Sequence, residues 1–198
     1  MGSYLNPGNF SFRGSLRSKI YIDKTGLIEY TNSVLDTSDA YICNSRPRRF
    51  GKSYTANMLA AYYSKGCNSE EMFSGLDISR KSDFKTHLNQ YDVIHIDIQW
   101  FLANCYNSNK IVSFLSDSVI SELRDIYPDI LPLGELSLPD SLSRIKDKTG
   151  QKFIIIIDEW DVLIRDEATN YYIQNEYINF LRGMFKGTEP TKYIQLAY

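Results

Sequence analysis

A chain of 198 residues, 43% hydrophobic and 23% charged, is long enough for one well-buried α/β domain and short for two, and its composition is that of a folded chain. A formal net charge of −2 argues against a domain whose main work is coating nucleic acid, while leaving room for a local basic patch. No stretch approaches the ~20 apolar residues of a membrane span and the N-terminus lacks a basic segment followed by an apolar core. Cys43, Cys67 and Cys105 show neither zinc nor disulfide spacing, which suits a reducing cytoplasm.

The opening segment, residues 1–17, is polar with Pro7, Gly8 and Gly14, and predicts an extended arm before a single domain over 18–198. Tyr21-Ile22-Asp23-Lys24-Thr25 leads into a helix pattern through Leu27, Ile28 and Tyr30. Asp23 and Thr25 resemble a cap there, in a position that also permits a role beside a ligand. Ala40-Tyr41-Ile42-Cys43-Asn44 is a short apolar, β-branched and aromatic run that predicts a buried strand.

Ser45-Arg46-Pro47-Arg48-Arg49-Phe50-Gly51-Lys52-Ser53 follows. Its last three residues are what a phosphate-cradling loop needs: close backbone N–H groups at Gly51, a lysine able to reach β/γ-phosphates, and a serine hydroxyl able to ligate Mg²⁺. The full pattern also has a glycine five residues before Gly51, where this chain has Arg46. From Tyr54 to Tyr63 the chain carries Ala, Met and Leu without Gly or Pro and predicts a helix ending near Gly66. Strand, loop, helix is the order that sets a helix N-terminus against phosphates.

Residues 66–91 predict a polar helical insertion, 93–98 a second strand, and Trp100, Phe101 and Leu102 a packing cluster. His95, within that strand, reads as structural. Apolar residues recur at helical spacing over 110–127, Pro128 closes the element, and a short helix is expected over 140–147. Phe153-Ile154-Ile155-Ile156-Ile157 then predicts a strand buried on both faces, ending in Asp158 and Glu159. Carboxylates at that end of an open α/β sheet fall in the ligand crevice, where Asp158 would hold Mg²⁺ and Glu159 would deprotonate the attacking water. The alternative is a polar strand end that merely caps the next helix. A loop around 165–167, a helix over 171–185 and a last strand over 192–198 complete the chain.

A strand and a helix intervene between the phosphate loop and the Asp-Glu strand, and the glutamate directly follows the aspartate, an order that favours water-activating ATPase chemistry over a kinase-like fold. Together, Tyr21–Thr25, Ser45–Ser53 and Ile156-Ile157-Asp158-Glu159-Trp160-Asp161 resemble the signature blocks of the bacterial AAA-ATPase-like family, whose lineage carries Arg-Pro-Arg-Arg-Phe before Gly-Lys-Ser. The resemblance implies a three-layer ASCE-type P-loop NTPase with a mostly parallel sheet of order 5-1-4-3-2, binding ATP and Mg²⁺. It implies phosphate and metal contacts at Gly51, Lys52 and Ser53, with Asp158 and Glu159 as the metal-holding and water-activating carboxylates. Arg48, Arg49, Phe50 and Tyr54 are further candidate nucleotide contacts, the arginines being as readily solvated or paired with local acids. Arg165 and Arg182 are candidate arginine fingers. In that family a sensor residue, a fifth strand, a helical lid and a PD-(D/E)XK nuclease-like domain follow the strand that here ends at Tyr198. The sheet is therefore expected to be incomplete at its C-terminal end, with the phosphate-loop strand at an edge open to self-association. Two other readings stand beside hydrolysis: a nucleotide-gated switch or scaffold with negligible turnover, and nucleic-acid binding through Arg46, Arg48 and Arg49.

Overall fold

The computed structural model describes residues 1–45, 50–165 and 170–198, which fall into two compact units. The first comprises residues 1–95, 153–156 and 195–198, the second residues 96–152 and 157–194. Strands β1 (Asp92–Asp97), β2 (Phe153–Asp158) and β3 (Ile194–Ala197) form one parallel sheet in the order β1-β2-β3. Every residue of β2 is buried, which is why its apolar residues run without alternation: a middle strand has neighbours on both sides and cover on both faces.

The first unit extends this row at both ends. Residues 40–42 run parallel to β3, with the Ile42 amide donating to the Ala197 carbonyl at 2.9 Å and the Ala197 amide to the Ala40 carbonyl at 2.8 Å. The strand expected over 40–44 is thus reduced to a single bridge at Tyr41, because among the described residues it pairs on one side only. Beyond β1, the Asn6 amide donates to Val93 at 2.7 Å and the His95 amide to Tyr4 at 2.8 Å, an antiparallel pairing at Leu5. Here the structure departs from the expected extended arm. Leu5 is fully buried, and after Pro7 and Gly8 the chain forms helix α1 (Phe10–Leu16), which packs on the helix over Lys52–Tyr63 with Phe12 in the core. The polar composition of 1–17 hides two apolar anchors that only long-range contacts reveal.

Helices α2 (Gly26–Val34), α3 (Lys52–Tyr63), α4 (Glu70–Phe73) and α5 (Phe84–His87) complete the first unit, with a 3₁₀ turn at Asp77–Arg80. From Met58 onward every residue of α3 is buried, so the helix is core around its whole circumference. Its last two residues need polar partners for their hydroxyls. Tyr63 donates to Asn32 Oδ1 at 2.7 Å and shares a hydrogen bond with Thr31 at 2.7 Å. Tyr62 donates to the Phe84 carbonyl at 2.8 Å and accepts from Asn32 Nδ2 at 3.2 Å.

Asn32→Ala leaves these buried hydroxyls short of partners and is expected to lower the unfolding free energy by about 1–3 kcal/mol in urea titrations. Burial, partly offset by the Asn32 bond, pushes the Tyr62 hydroxyl from 10.0 up to about 12, and burial raises Tyr63 as well. Groups raised in this way stabilise the fold fully below their unfolded value and lose that contribution as pH climbs through the folded one. Alkaline unfolding is therefore expected between pH 10.0 and about 12, and Tyr62→Phe should shift the transition upward; an unchanged alkaline midpoint counts against this origin.

The second unit holds α6 (Ile98–Asn104), α7 (Ile111–Ile126), α8 (Leu138–Thr149), α9 (Val162–Arg165), α10 (Tyr171–Phe185) and α11 (Pro190–Tyr193). The Trp100–Leu102 cluster is the body of α6, opened by Asp97 accepting from the Trp100 amide at 3.1 Å, with Phe101 buried and Trp100 exposed. Ile111, Leu115, Val119 and Leu123 recur every four residues on the buried stripe of α7. Local signals set the ends of α8: Ser137 caps the Asp140 amide, Pro139 sits in the first turn, and Gly150 closes it at φ 75°. α8 packs on α7 and α11, and α10 on α7.

Candidate functional site

In the first unit, Gly51 stands at φ 80°, a left-handed conformation that glycine adopts at little cost, and α3 begins at the next residue. Lys52 and Ser53 are therefore the first two residues of a twelve-residue helix, at the end where unpaired N–H groups and the positive dipole end lie. Tyr54 and Phe50 flank this end, both exposed. Thr55 donates its hydroxyl to the Gly51 carbonyl at 3.0 Å and tightens the turn. Arg46, Arg48 and Arg49 lie outside the described residues.

Asp23 and Thr25 do not act as an N-terminal cap on α2. Asp23 Oδ1 accepts from the Thr25 amide at 2.8 Å and its hydroxyl at 2.7 Å, while Oδ2 accepts from the Asp77 amide at 2.8 Å. Thr25 in turn accepts from the Ile78 amide at 3.1 Å. The pair staples the 21–25 turn to the 3₁₀ segment. Burial would raise the Asp23 carboxyl, but these three hydrogen bonds and the Arg80 charge hold it below its ordinary range. Between the two stapled residues, Lys24 points the other way: its Nζ donates to the Phe50 carbonyl at 3.0 Å and sits 2.8 Å from where a Cβ on Gly51 would lie. A second cation thus stands at the Phe50–Gly51 peptide, just ahead of α3. Sequence reasoning passed over Lys24; the available signal was a lone basic residue between two side chains suited to local bonds.

In the second unit, β2 delivers Asp158, itself buried, with Oδ1 accepting from the Glu159 amide at 3.0 Å. Glu159 has φ 51°, a left-handed backbone that a non-glycine residue adopts at a cost of about 1–3 kcal/mol and that clusters at functional sites. Among the first amides of α9, Val162 donates to the Glu159 carbonyl at 3.0 Å and Ile164 to the Asp161 carbonyl at 3.0 Å. Arg165 closes the turn by pairing with Glu159 Oε2 through Nη2 and with Asp161 Oδ2 through Nε at 3.1 Å. The candidate finger is thus engaged within its own chain. Tyr177 of α10, whose hydroxyl is raised by burial and by the Asp161 charge, donates to the Trp160 carbonyl at 2.8 Å and anchors the same turn.

An α/β fold with a parallel sheet, a helix opened by Gly-Lys-Ser and an apolar strand ended by Asp-Glu is the class these features define. The chain belongs to the predicted AAA-ATPase family (AAA-ATPase-like), whose model matches residues 12–197. It is also similar, at 23% identity over 181 residues, to a protein of Azotobacter chroococcum mcd 1 named "Uncharacterized protein in vnfD 5'region"; the match covers 83% of this chain and 30% of the relative. The chain therefore spans about 30% of the length of the curated relative it matches. No solved structure matches it. Among the described residues, no helix is long and apolar enough to cross a membrane.

Proposed function

We propose that the chain is an ATP·Mg²⁺-binding P-loop ATPase domain. The observation that carries this reading is the left-handed Gly51 opening a long buried helix on Lys52 and Ser53, within a chain of a predicted ATPase family. On this reading the amides after Gly51 and the Lys52 ammonium hold the β- and γ-phosphates. Phe50 and Tyr54, and Arg48 and Arg49 from the loop, contact the remainder of the nucleotide. The Ser53 hydroxyl and the Asp158 carboxylate are hard oxygen donors that fit Mg²⁺, which when bound neutralises charge on the transferring phosphoryl group. Among the described residues no group of three or more His, Cys, Asp or Glu gathers to hold a metal. Glu159 takes the proton of the attacking water as its oxygen bonds to the γ-phosphorus and ADP departs.

Calorimetry of the whole chain with ATP and Mg²⁺ tests the reading: a saturable one-to-one isotherm is expected, and a folded chain giving no heat sinks it. The pairing of Arg165 with Glu159 favours a second reading, a nucleotide-gated switch whose base is restrained and whose turnover is negligible. Tight ATP binding without phosphate release would select it. The coverage of only 30% of the curated relative supports placing this domain within a longer protein, for which a nuclease-like partner domain is the proposal the resemblance suggests. The cysteine pattern supports a cytoplasmic location.

A further inference from the structure

Two lysines meet at the start of α3, and the first turn of that helix carries no acidic residue. Lys52 is its first residue. Lys24 arrives from the turn before α2, and its ammonium donates to the Phe50 carbonyl at 3.0 Å. Cations are disfavoured at this end of a helix, where the dipole and the unpaired N–H groups are already positive, and an anion is favoured. The arrangement is electrostatically incomplete without one.

Lys24 is placed there by the structure around it. Its neighbours Asp23 and Thr25 accept from the Asp77 and Ile78 amides at 2.8 Å and 3.1 Å, which fixes the backbone from which the long stem leaves. A Cβ at position 51 would stand 2.8 Å from the ammonium. Gly51 therefore does two things at once: it takes the left-handed turn at φ 80°, and it leaves open the space that the ammonium fills. The carboxyl next in sequence does not compete, because Asp23 Oδ1 is engaged by Thr25 and Oδ2 by the Asp77 amide. Among the described residues Lys24 donates to a neutral carbonyl and pairs with no carboxylate. An ammonium carries more donors than one carbonyl uses, and holding an exposed lysine stem in one place costs rotamer entropy. Charge-assisted bonds to an anion would offset that cost.

We propose that Lys24 is a second phosphate-binding cation: it keeps the Phe50 carbonyl and donates its remaining N–H groups to the polyphosphate of the bound nucleotide, alongside Lys52. The inference rests on the ATP reading above and adds a contact that lies outside the Gly-Lys-Ser tripeptide.

Lysine-selective acetylation of the whole chain, mapped by mass spectrometry, tests the contact. It is run without ligand, with saturating ATP and with saturating inorganic tripolyphosphate, each with Mg²⁺. Lys24 and Lys52 are expected to lose reactivity with either ligand bound, while Lys85, paired with Glu70, reacts as before. Lys24→Met, which keeps an unbranched stem and removes the charge, should lose about tenfold in calorimetric affinity for ATP and tripolyphosphate alike, the weight of one charge-assisted hydrogen bond. Lys24→Arg should recover part of that loss. A Lys24 that stays as reactive with ligand bound while Lys52 is protected overturns the contact and leaves the phosphate site standing, and it decides the matter even where a variant fails to fold. Protection of Lys24 by ATP alone sets base or sugar against it instead of phosphate and overturns the contact too, as does a Lys24→Met chain that binds both ligands as before. If the unaltered chain binds neither ligand, the ATP reading itself fails and the contact falls with it.

Discussion

Glu159→Gln is expected to slow phosphate release by about 10²–10⁴-fold, the range ascribed to a positioned general base, while ATP affinity is retained. The amide keeps the size of the side chain and its place in the turn after β2, but it lacks the basicity to take a proton from water. Single-turnover phosphate release read beside ATP calorimetry separates the two effects. Parallel loss of binding and turnover would mean that the substitution disturbed the left-handed turn instead of the chemistry, and unchanged turnover would remove Glu159 from the mechanism. Arg165→Ala is the companion measurement. It frees the Glu159 carboxylate from its partner, so turnover should rise if the pair restrains the base, whereas a nucleotide-gated switch stays silent in both variants.

Lys52→Ala is expected to weaken ATP binding by about ten- to a hundred-fold, since a charged hydrogen bond to phosphate is worth about 1.5–3 kcal/mol and each 1.4 kcal/mol is tenfold. Lys52 occupies the first position of α3, ahead of the helix's core residues, so the melting temperature should stay near that of the unaltered chain. The same loss is expected for inorganic tripolyphosphate, because the contact is to phosphate alone. An unchanged affinity for both ligands would remove Lys52 from the phosphate contacts.

Much of the architecture was legible in local pattern. The apolar run ending at Asp158 emerged as a fully buried middle strand, and the 171–185 helix emerged over Tyr171–Phe185. These elements carry their signals within themselves: an unbroken apolar run in one, and in the other Asn170 as a cap with a buried face at Ile173, Tyr177 and Met184. The Gly-Lys-Ser tripeptide was equally readable, because a glycine before a helix former is a conformational instruction in its own right. Segments whose state depends on distant neighbours were misread or thinned. Residues 40–44 have the composition of a strand but make one bridge, and the polar 1–17 segment yields an added sheet pairing and a helix once Leu5 and Phe12 find the core. Asp23 and Thr25 looked like a cap because both side chains suit that task, yet their partners are the Asp77 and Ile78 amides, more than fifty positions away.

The chain's chemical vocabulary was thus written in residue order: which side chains open α3, which carboxylates end the central strand, and which family the motifs belong to. Helix and strand signals act over a few residues, and a motif states its chemistry wherever it sits. Tertiary structure alone decided how those groups are occupied and surrounded. It set Lys24 against the Phe50 carbonyl across twenty-six positions, paired Arg165 with Glu159, and built an aromatic cavity from α1, the 18–24 turn and α3. Each of these is a meeting of residues whose sequence neighbours predict nothing about the encounter, because burial and hydrogen-bond satisfaction are settled by the whole folded chain at once.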